Sequence, residues 1–102
     1  MPSENASDMT KLSVSAITGP YCATYTQGEQ LFAQVAQHLR AGAHVQLDFA
    51  DVEFTSSSFF NEFFGSILEK FGEETLSQCL SFVSLRPRHR FVLDRTRYAT
   101  PV

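Results

Sequence analysis

The chain has 102 residues, a length that suits one domain with a single hydrophobic core. Hydrophobic residues make up 43% of it and charged residues 19%, a balance that excludes a wholly disordered chain. The formal net charge is −3 and no apolar run is long enough for a membrane span or a signal core, so we expect a cytoplasmic protein without a membrane partner.

The first part of the chain predicts a tail followed by two strands. Residues 1–10 are polar and indicate a disordered N-terminal tail, with one domain over 11–102. Apolar residues alternate through 11–17, which predicts a strand. A Gly-Pro pair then predicts a turn into a second strand over 21–25, so that the two strands form a hairpin.

A helix and a strand follow. The helix is predicted over about 27–41, because Thr26 and Glu29 have the spacing of a capping box and Gly42 follows the apolar stripe as a C-terminal glycine. Alternating apolar residues then predict a strand over 45–49. This order of elements is typical of an α/β unit.

The segment 48–71 contains seven of the ten phenylalanines around three consecutive serines. After the serines the apolar period changes to that of a helix, predicted to run to about residue 71. Ser57 or Ser58 is predicted to cap this helix by accepting a hydrogen bond from one of its unpaired N–H groups. A phosphate at the same place would meet the positive end of the helix dipole, so a phosphorylation switch is the alternative.

The last part of the chain predicts a short helix over 73–79, a strand over 80–85 and a final helix from Pro87. The right-handed crossover rule places the strands at 45–49 and 80–85 parallel, with the phenylalanine-rich helix between them. Together the elements predict an α/β fold, with a small mixed sheet of about four strands packed with three to four helices. The residues predicted to dock the final helix on the sheet are Phe91, Val92, Leu93 and Tyr98.

Motifs for enzymatic or metal chemistry are missing from the sequence. Its two cysteines, expected to be reduced, and its three histidines match no metal or redox spacing, and no glycine-rich phosphate loop or hydrolase elbow occurs. We therefore expect no enzyme activity, no cofactor and no metal. Asp48, Asp51 and Glu53 follow the central strand, where α/β sheets bind ligands, and are explained by loop solvation or by an acid–base or metal role.

A basic segment ends the chain. Residues 86–97 hold five arginines against one aspartate. Such a segment can meet phosphate groups or an acidic partner, but arginines near a helix C-terminus are also favoured by the helix dipole. Aromatic residues are not interleaved as single-strand binders require, so nucleic-acid binding is not expected.

Twelve residues carry a resemblance to a known family. They resemble the STAS-like domains of unassigned function, small bacterial modules related to the STAS domain of anti-sigma-factor antagonists. The resemblance extends more weakly over 26–98. The residues that carry it are Val45, Leu47, Asp48, Phe49, Val52, Ser58, Phe59, Asn61, Glu62, Phe63, Phe64 and Gly65.

The resemblance implies a STAS-type α/β domain with a regulatory function. In the antagonists, a D-S-[ST]-G turn carries a serine that a partner resembling histidine-kinase ATPases phosphorylates. Alignment with that turn places Ser56 at the aspartate, Ser57 and Ser58 at the two hydroxyl positions and Phe59 at the glycine. It implies that Ser58 is the phosphate acceptor of a non-enzymatic module that binds a kinase-like ATPase through the serine turn and the helix after it.

Two hypotheses of function follow. The first is this protein-binding module, with Phe59 or Phe60 as its aromatic anchor if either is exposed. The second is a domain that senses a small ligand or nucleotide in the crevice at the strand ends. The oligomeric state stays open. The residues predicted to bind the partner or accept phosphate are Ser56, Ser57, Ser58, Phe59, Asn61 and Glu62.

Overall fold

Two parallel sheets and five helices make up the computed structural model, which describes residues 9–99, with side chains up to residue 96. None of the helices in this range is long and apolar enough to cross a membrane. The elements in chain order are β1 Met9–Ser13, α1 Val14–Thr18, β2 Tyr21–Cys22, α2 Tyr25–Arg40, β3 His44–Asp48, β4 Phe54–Thr55, α3 Ser57–Lys70, α4 Glu73–Gln78, β5 Leu80–Val83 and α5 Pro87–Ala99.

The larger sheet has the order β1-β3-β5, so that β3 lies at its centre. Val45 of β3 is opposite Thr10 on one side and Leu80 on the other. β3 and β5 are parallel, as the crossover rule predicts for strands joined through a helix. The smaller sheet consists of β2 and β4, with Tyr21 opposite Phe54.

The α/β class is confirmed, but the single mixed sheet of about four strands is replaced by two parallel sheets in residues 9–99. The cause is the turn after β3. Asp51 has a φ of 70°, in the left-handed region, and the chain leaves the β1-β3-β5 sheet there. The next strand, β4, therefore pairs with β2.

The predicted hairpin is wrong. Ser13 ends β1 and its hydroxyl accepts a hydrogen bond from the N–H of Ala16 at 3.3 Å, which caps the short helix α1. This helix reverses the chain, so that β2 lies in the other sheet. β1 also begins at Met9, inside the segment predicted to be a tail. Residues 1–8 lie outside the described residues, and for them the tail stays a prediction.

The start of α2 lies two residues earlier than predicted, and the box at Thr26 and Glu29 is wrong. Thr24 is the N-cap, and the side chain of Gln27 accepts hydrogen bonds from the N–H groups of Ala23 and Thr24 at 2.9 and 3.0 Å. The same amide donates to the carbonyls of Thr18 and Tyr21 at 3.0 and 2.6 Å. The carboxylate of a glutamate at this position could accept hydrogen bonds but could not donate any to the two carbonyls, so a glutamine suits this position better.

Helix α3 provides five of the seventeen buried hydrophobic residues in the described part of the chain, more than any other element. It contacts α2 and α5, and its rings reach β5 and the residue that follows β3. Phe60 lies 6.0 Å from Phe49, after β3, and Phe64 lies 5.9 Å from Phe82 in β5, measured between ring centroids. Contacts on three sides explain why its apolar face is wide. Its fully buried residues are Phe59, Phe60, Phe63, Phe64 and Ile67.

Helix α5 begins at Pro87 as predicted, and of the residues predicted to dock it, Leu93 is buried and Val92 packs half-buried against the core. The buried residues are His89, Leu93 and Thr96, at spacings of four and three. Phe91 lies two residues from His89 and Leu93, on another side of the helix, and is 61% exposed, so its predicted docking is wrong. The side chain of Tyr98 lies outside the described residues.

Both cysteines are free, as predicted. Cys22 is fully buried, and burial raises the pKa of its thiol despite an opposing hydrogen bond with the Thr18 hydroxyl at 3.2 Å. A thiol of this kind is a packing group, since the thiolate is the reactive form.

The backbones of α2 and α3 approach closely at Gly28. A Cβ added to this buried residue would lie 2.6 Å from the carbonyl oxygen of Phe59 and 3.0 Å from the Cβ of Glu62. The nearest atom belongs to a helix backbone and cannot move aside as a flexible side chain can. Gly28 therefore sets the distance between the starts of the two helices.

We expect Gly28→Ala to lower the free energy of unfolding by about 1–3 kcal/mol, because it overpacks this contact. Gly65→Ala is the matched control. Gly65 lies within α3 and a Cβ there has no neighbour within 4 Å, so the change should raise stability by about 0.5–1 kcal/mol through helix propensity. Urea unfolding measures both values. A neutral Gly28→Ala variant would contradict the close approach.

Candidate functional site

The serine turn, which consists of Ser56, Ser57 and Ser58, joins β4 to α3. Ser56 is the N-cap of α3. Ser56 has extended backbone angles, and its hydroxyl accepts a hydrogen bond from the N–H of Phe59 at 3.2 Å. The prediction that Ser57 or Ser58 caps the helix is therefore wrong. The reason lies in the sheet: the N–H of Ser56 still donates to the carbonyl of Cys22 in β2 at 3.0 Å, so the helix begins immediately after it.

The Ser56 hydroxyl has a second role. It donates to the carbonyl of Ala23 at 2.8 Å, in the segment that leads into α2. One half-buried hydroxyl therefore holds the start of α3 and the start of α2 together. With both hydrogen bonds formed, Ser56 is explained by structure alone.

Ser57 and Ser58 occupy the first two positions of α3 and are exposed. Their hydroxyls form no hydrogen bond with any residue from 9 to 96. Ser57 lines a shallow cleft of about 200 Å³ together with Asn61 from the next turn and two residues of α5, Arg95 and Thr96. The turn thus places exposed hydroxyls, an amide and a guanidinium beside the positive end of a helix.

The aromatic residues of this turn do not reach the surface. Phe59 and Phe60 are both fully buried, with ring centroids 5.2 Å apart, so the condition under which either would be the aromatic anchor is not met. The ring of Phe60 also lies 6.0 Å from that of Phe49 and 5.7 Å from that of Phe64, so both residues belong to the phenylalanine core. Asn61 is exposed, while Glu62 is half-buried and accepts a hydrogen bond from the Ser66 hydroxyl at 3.3 Å.

The structure brings the predicted site residues together but divides them between two faces. Ser56 and Phe59 point inward and maintain the fold. The outward face, which we call the serine-turn face, consists of Ser57, Ser58, Asn61 and the exposed edge of Glu62.

Exposed aromatic residues occur elsewhere, and sequence reasoning missed them. Tyr21 and Phe54 are neighbours across the smaller sheet, and Tyr25 begins α2. With Phe91 of α5, they are all 46–62% exposed. Two-residue strands have no measurable period, so the alternation that would have marked these residues as outward-facing was absent.

The part of the chain that contains the serine turn matches a known protein family. The model of a family described as STAS-like domain of unknown function (DUF4325) matches residues 27–89, which is more than half of the chain. The chain belongs to this family. The matched part of the STAS-like domain runs from α2 into α5 and includes the whole serine-turn face. No curated protein and no solved structure matches the chain.

The acidic residues at the end of β3 and after it form contacts within the STAS-like domain. Asp48 lies 3.5 Å from the ammonium of Lys11 and accepts a hydrogen bond from the N–H of Ala50 at 2.9 Å. Glu53 pairs with Arg86 at 3.3 Å. Within residues 9–96, no group of three histidine, cysteine or acidic side chains could hold a metal ion. These contacts explain Asp48 and Glu53 without a ligand in the strand-end crevice.

We expect Ser56→Ala to lower the free energy of unfolding of the STAS-like domain by about 1 kcal/mol or more, because it removes a helix cap and the bond to Ala23. Ser57→Ala and Ser58→Ala should each stay within about 0.5 kcal/mol of the natural protein, since both are exposed. Urea unfolding of the three variants gives the comparison. Equal losses in all three would contradict the assignment of the cap.

The stability of the domain should depend on pH through Asp48. The hydrogen bonds from Ala50 and Ser84 and the charge of Lys11 lower the pKa of Asp48 below its ordinary value of 3.8. The ionised carboxylate therefore stabilises the fold above the unfolded pKa, and this contribution is lost as the pH falls through the folded pKa.

Asp48→Asn should accordingly be less stable than the natural protein at pH 7, and the difference should narrow as the pH falls below about 4. Unfolding curves measured from pH 7 down to acid conditions test this. Asp51→Asn, a change of the same charge at a neighbouring exposed residue, is the control. A stability difference that grows at acid pH would reverse the assigned direction.

Proposed function

We propose that this STAS-like domain is a non-enzymatic regulatory module that binds a protein partner through the serine-turn face. The partner class is a histidine-kinase-like ATPase, as the resemblance to anti-sigma-factor antagonists implies. Phosphorylation at the turn would control the complex. The observation that carries this proposal is that only one of the three serines caps α3, while the other two are exposed.

A helix start needs one capping side chain, and Ser56 provides it. Ser57 and Ser58 are therefore not needed for the local structure, yet they lie exposed at the start of a 14-residue helix. A kinase can reach exposed hydroxyls without unfolding the turn. Ser56 is half-buried and its hydroxyl holds two helices together, so it is not the proposed acceptor.

The surroundings favour a phosphate at this place. The dipole of α3 and its first N–H groups stabilise negative charge at the helix start. Arg95 lines the same cleft as Ser57 and provides a guanidinium for a charge-assisted hydrogen bond. The resemblance places the acceptor at Ser58, whereas the cleft adjoins Ser57, so both residues enter the test.

A partner surface also needs an aromatic anchor, and Tyr25 is our proposal for it. Tyr25 is 61% exposed and begins α2, two residues after Ala23, whose carbonyl is bonded to Ser56. It therefore lies on the element that is fastened to the serine turn. Tyrosine is among the residues that contribute most to binding energy at interfaces.

The proposal is tested by incubating the domain with ATP and a purified histidine-kinase-like ATPase from the same organism. We expect the intact mass to increase by one phosphoryl group. Peptide mapping should place that group on Ser57 or Ser58, and alanine at the acceptor should abolish it. Ser77→Ala is the matched control, since Ser77 is an exposed serine on α4, beyond the far end of α3.

Binding to the same ATPase is measured separately with the unphosphorylated domain. Tyr25→Ala and Asn61→Arg should each weaken the complex about tenfold or more, because they remove the anchor and place a bulky charge on the face. The Ser77→Ala variant should bind as the natural protein does. The absence of both phosphate transfer and complex formation would remove the proposal.

A further inference from the structure

A second concave site lies between β4 and the first turns of α5, away from the serine-turn face. It has a volume of about 380 Å³, within the range of small-molecule sites, roughly 300–1,000 Å³. We call it the β4–α5 pocket. It is lined by Phe54, Thr55, Arg88, His89, Phe91 and Val92.

Two of the residues that line this pocket each have a buried polar atom without a hydrogen-bond partner among the described residues. They are the hydroxyl oxygen of Thr55 and Nδ1 of His89. Thr55 is 5% exposed and His89 is 1% exposed, so solvent does not replace the missing bonds. Native proteins satisfy nearly all buried polar groups, and two orphans in one pocket point to a bound group that completes them.

The other nitrogen of His89 determines what that group must provide. Nε2 lies 3.4 Å from the carbonyl oxygen of Glu53. A carbonyl can only accept, so a hydrogen bond here requires the tautomer with its hydrogen on Nε2, in which Nδ1 is an acceptor. The missing partner of Nδ1 is therefore a donor, such as a hydroxyl or an N–H group.

The mouth of the pocket adds two further requirements. Phe54 and Phe91 are 46% and 61% exposed, an unusual state for phenylalanine that two rings facing a ligand would explain. Arg88 lies in the first turn of α5, and no carboxylate among residues 9–96 pairs with it. Its charge and the positive end of the helix favour an anion.

We propose that the β4–α5 pocket binds a small planar aromatic anion that carries a hydroxyl or N–H donor. The ring lies against Phe54 and Phe91, the anionic group meets Arg88, and the donor reaches Nδ1 of His89. The Thr55 hydroxyl forms the second buried hydrogen bond. No residue of the serine-turn face lines this pocket, although the guanidinium of Arg95, which lines the cleft beside Ser57, lies 5.5 Å from the ring centroid of Phe91. The proposal does not depend on the function proposed for the serine-turn face.

The probes are three compounds with one ring system. 6-Hydroxy-2-naphthoate has the ring, the anion and the donor, while 2-naphthoate lacks the donor and 2-naphthol lacks the anion. Titration of the full chain, followed by amide NMR and calorimetry, measures the affinity of each. We expect 6-hydroxy-2-naphthoate to shift the amide signals of Thr55, His89 and Phe91, and to bind about tenfold more tightly than either of the other two.

Two variants test the contacts within the pocket. Arg88→Gln should weaken 6-hydroxy-2-naphthoate about tenfold and leave 2-naphthol unchanged, because only the anion loses its partner. Arg90→Gln is the matched control, since Arg90 is an exposed arginine of the same helix that does not line the pocket. It should leave both affinities unchanged.

Thr55→Val separates a binding role from a structural one. Its hydroxyl has no partner within the described residues, so the variant without ligand should be as stable as the natural protein or more stable, while its affinity for 6-hydroxy-2-naphthoate falls. A loss of stability would show a structural partner and overturn the proposal. The absence of binding at millimolar probe, or binding that Arg88→Gln and Thr55→Val leave unchanged, would also overturn it.

Discussion

The hydroxyl of Ser56 is the interaction on which the arrangement of the candidate site depends. It caps α3 and at the same time bonds to Ala23, just before α2. Because the N–H of Ser56 also bonds to Cys22, three elements meet within one residue. The close approach at Gly28 then sets the distance between the helices that this residue joins. The positions of Ser57, Ser58 and Tyr25 all follow from that junction.

The second sheet explains why a chain of this size has two candidate sites. The chain leaves the larger sheet at the turn that contains Asp51, and the next strand, β4, pairs with β2. Its C-terminal side leads into the serine turn, while its outer side, with Phe54, faces α5. A two-residue strand thus separates a polar surface suited to a protein from an apolar pocket suited to a small molecule.

Much of the fold could be predicted from the sequence because strong periods marked the long elements. The α2 stripe, the alternation of β3 and the wide face of α3 all correspond to observed elements, as does the parallel pairing of β3 with β5. Short elements were the failures. In 11–17, alternation fitted a strand, but the Ser13 cap ended it and a helix followed. Local alternation could not show that cap.

The sequence predicts a candidate site at the serine turn and the start of α3, but it does not show which face each residue lies on. Three adjacent serines are equal candidates for a cap, and the choice of Ser56 depends on its pairing with Cys22, 34 residues earlier. The sequence does not show whether Phe59 or Phe60 is exposed, and in the structure both are fully buried in the phenylalanine core. The β4–α5 pocket was missed entirely, since it brings together residues whose separation in sequence carries no periodic signal.

The small β2–β4 sheet has a consequence for the folding and opening of the domain. Its strands are two residues long and pair positions that are 33 residues apart. The pairing therefore contributes little free energy, while closing the long loop between the strands has a large entropic cost. The β1-β3-β5 sheet and the phenylalanine core do not require that ladder. We therefore expect the serine turn to belong to a cooperative unit of lower stability than the core, one that can open while the larger sheet stays folded. Sub-global opening of this kind would expose the hydroxyl of Ser56, which is half-buried in the folded domain.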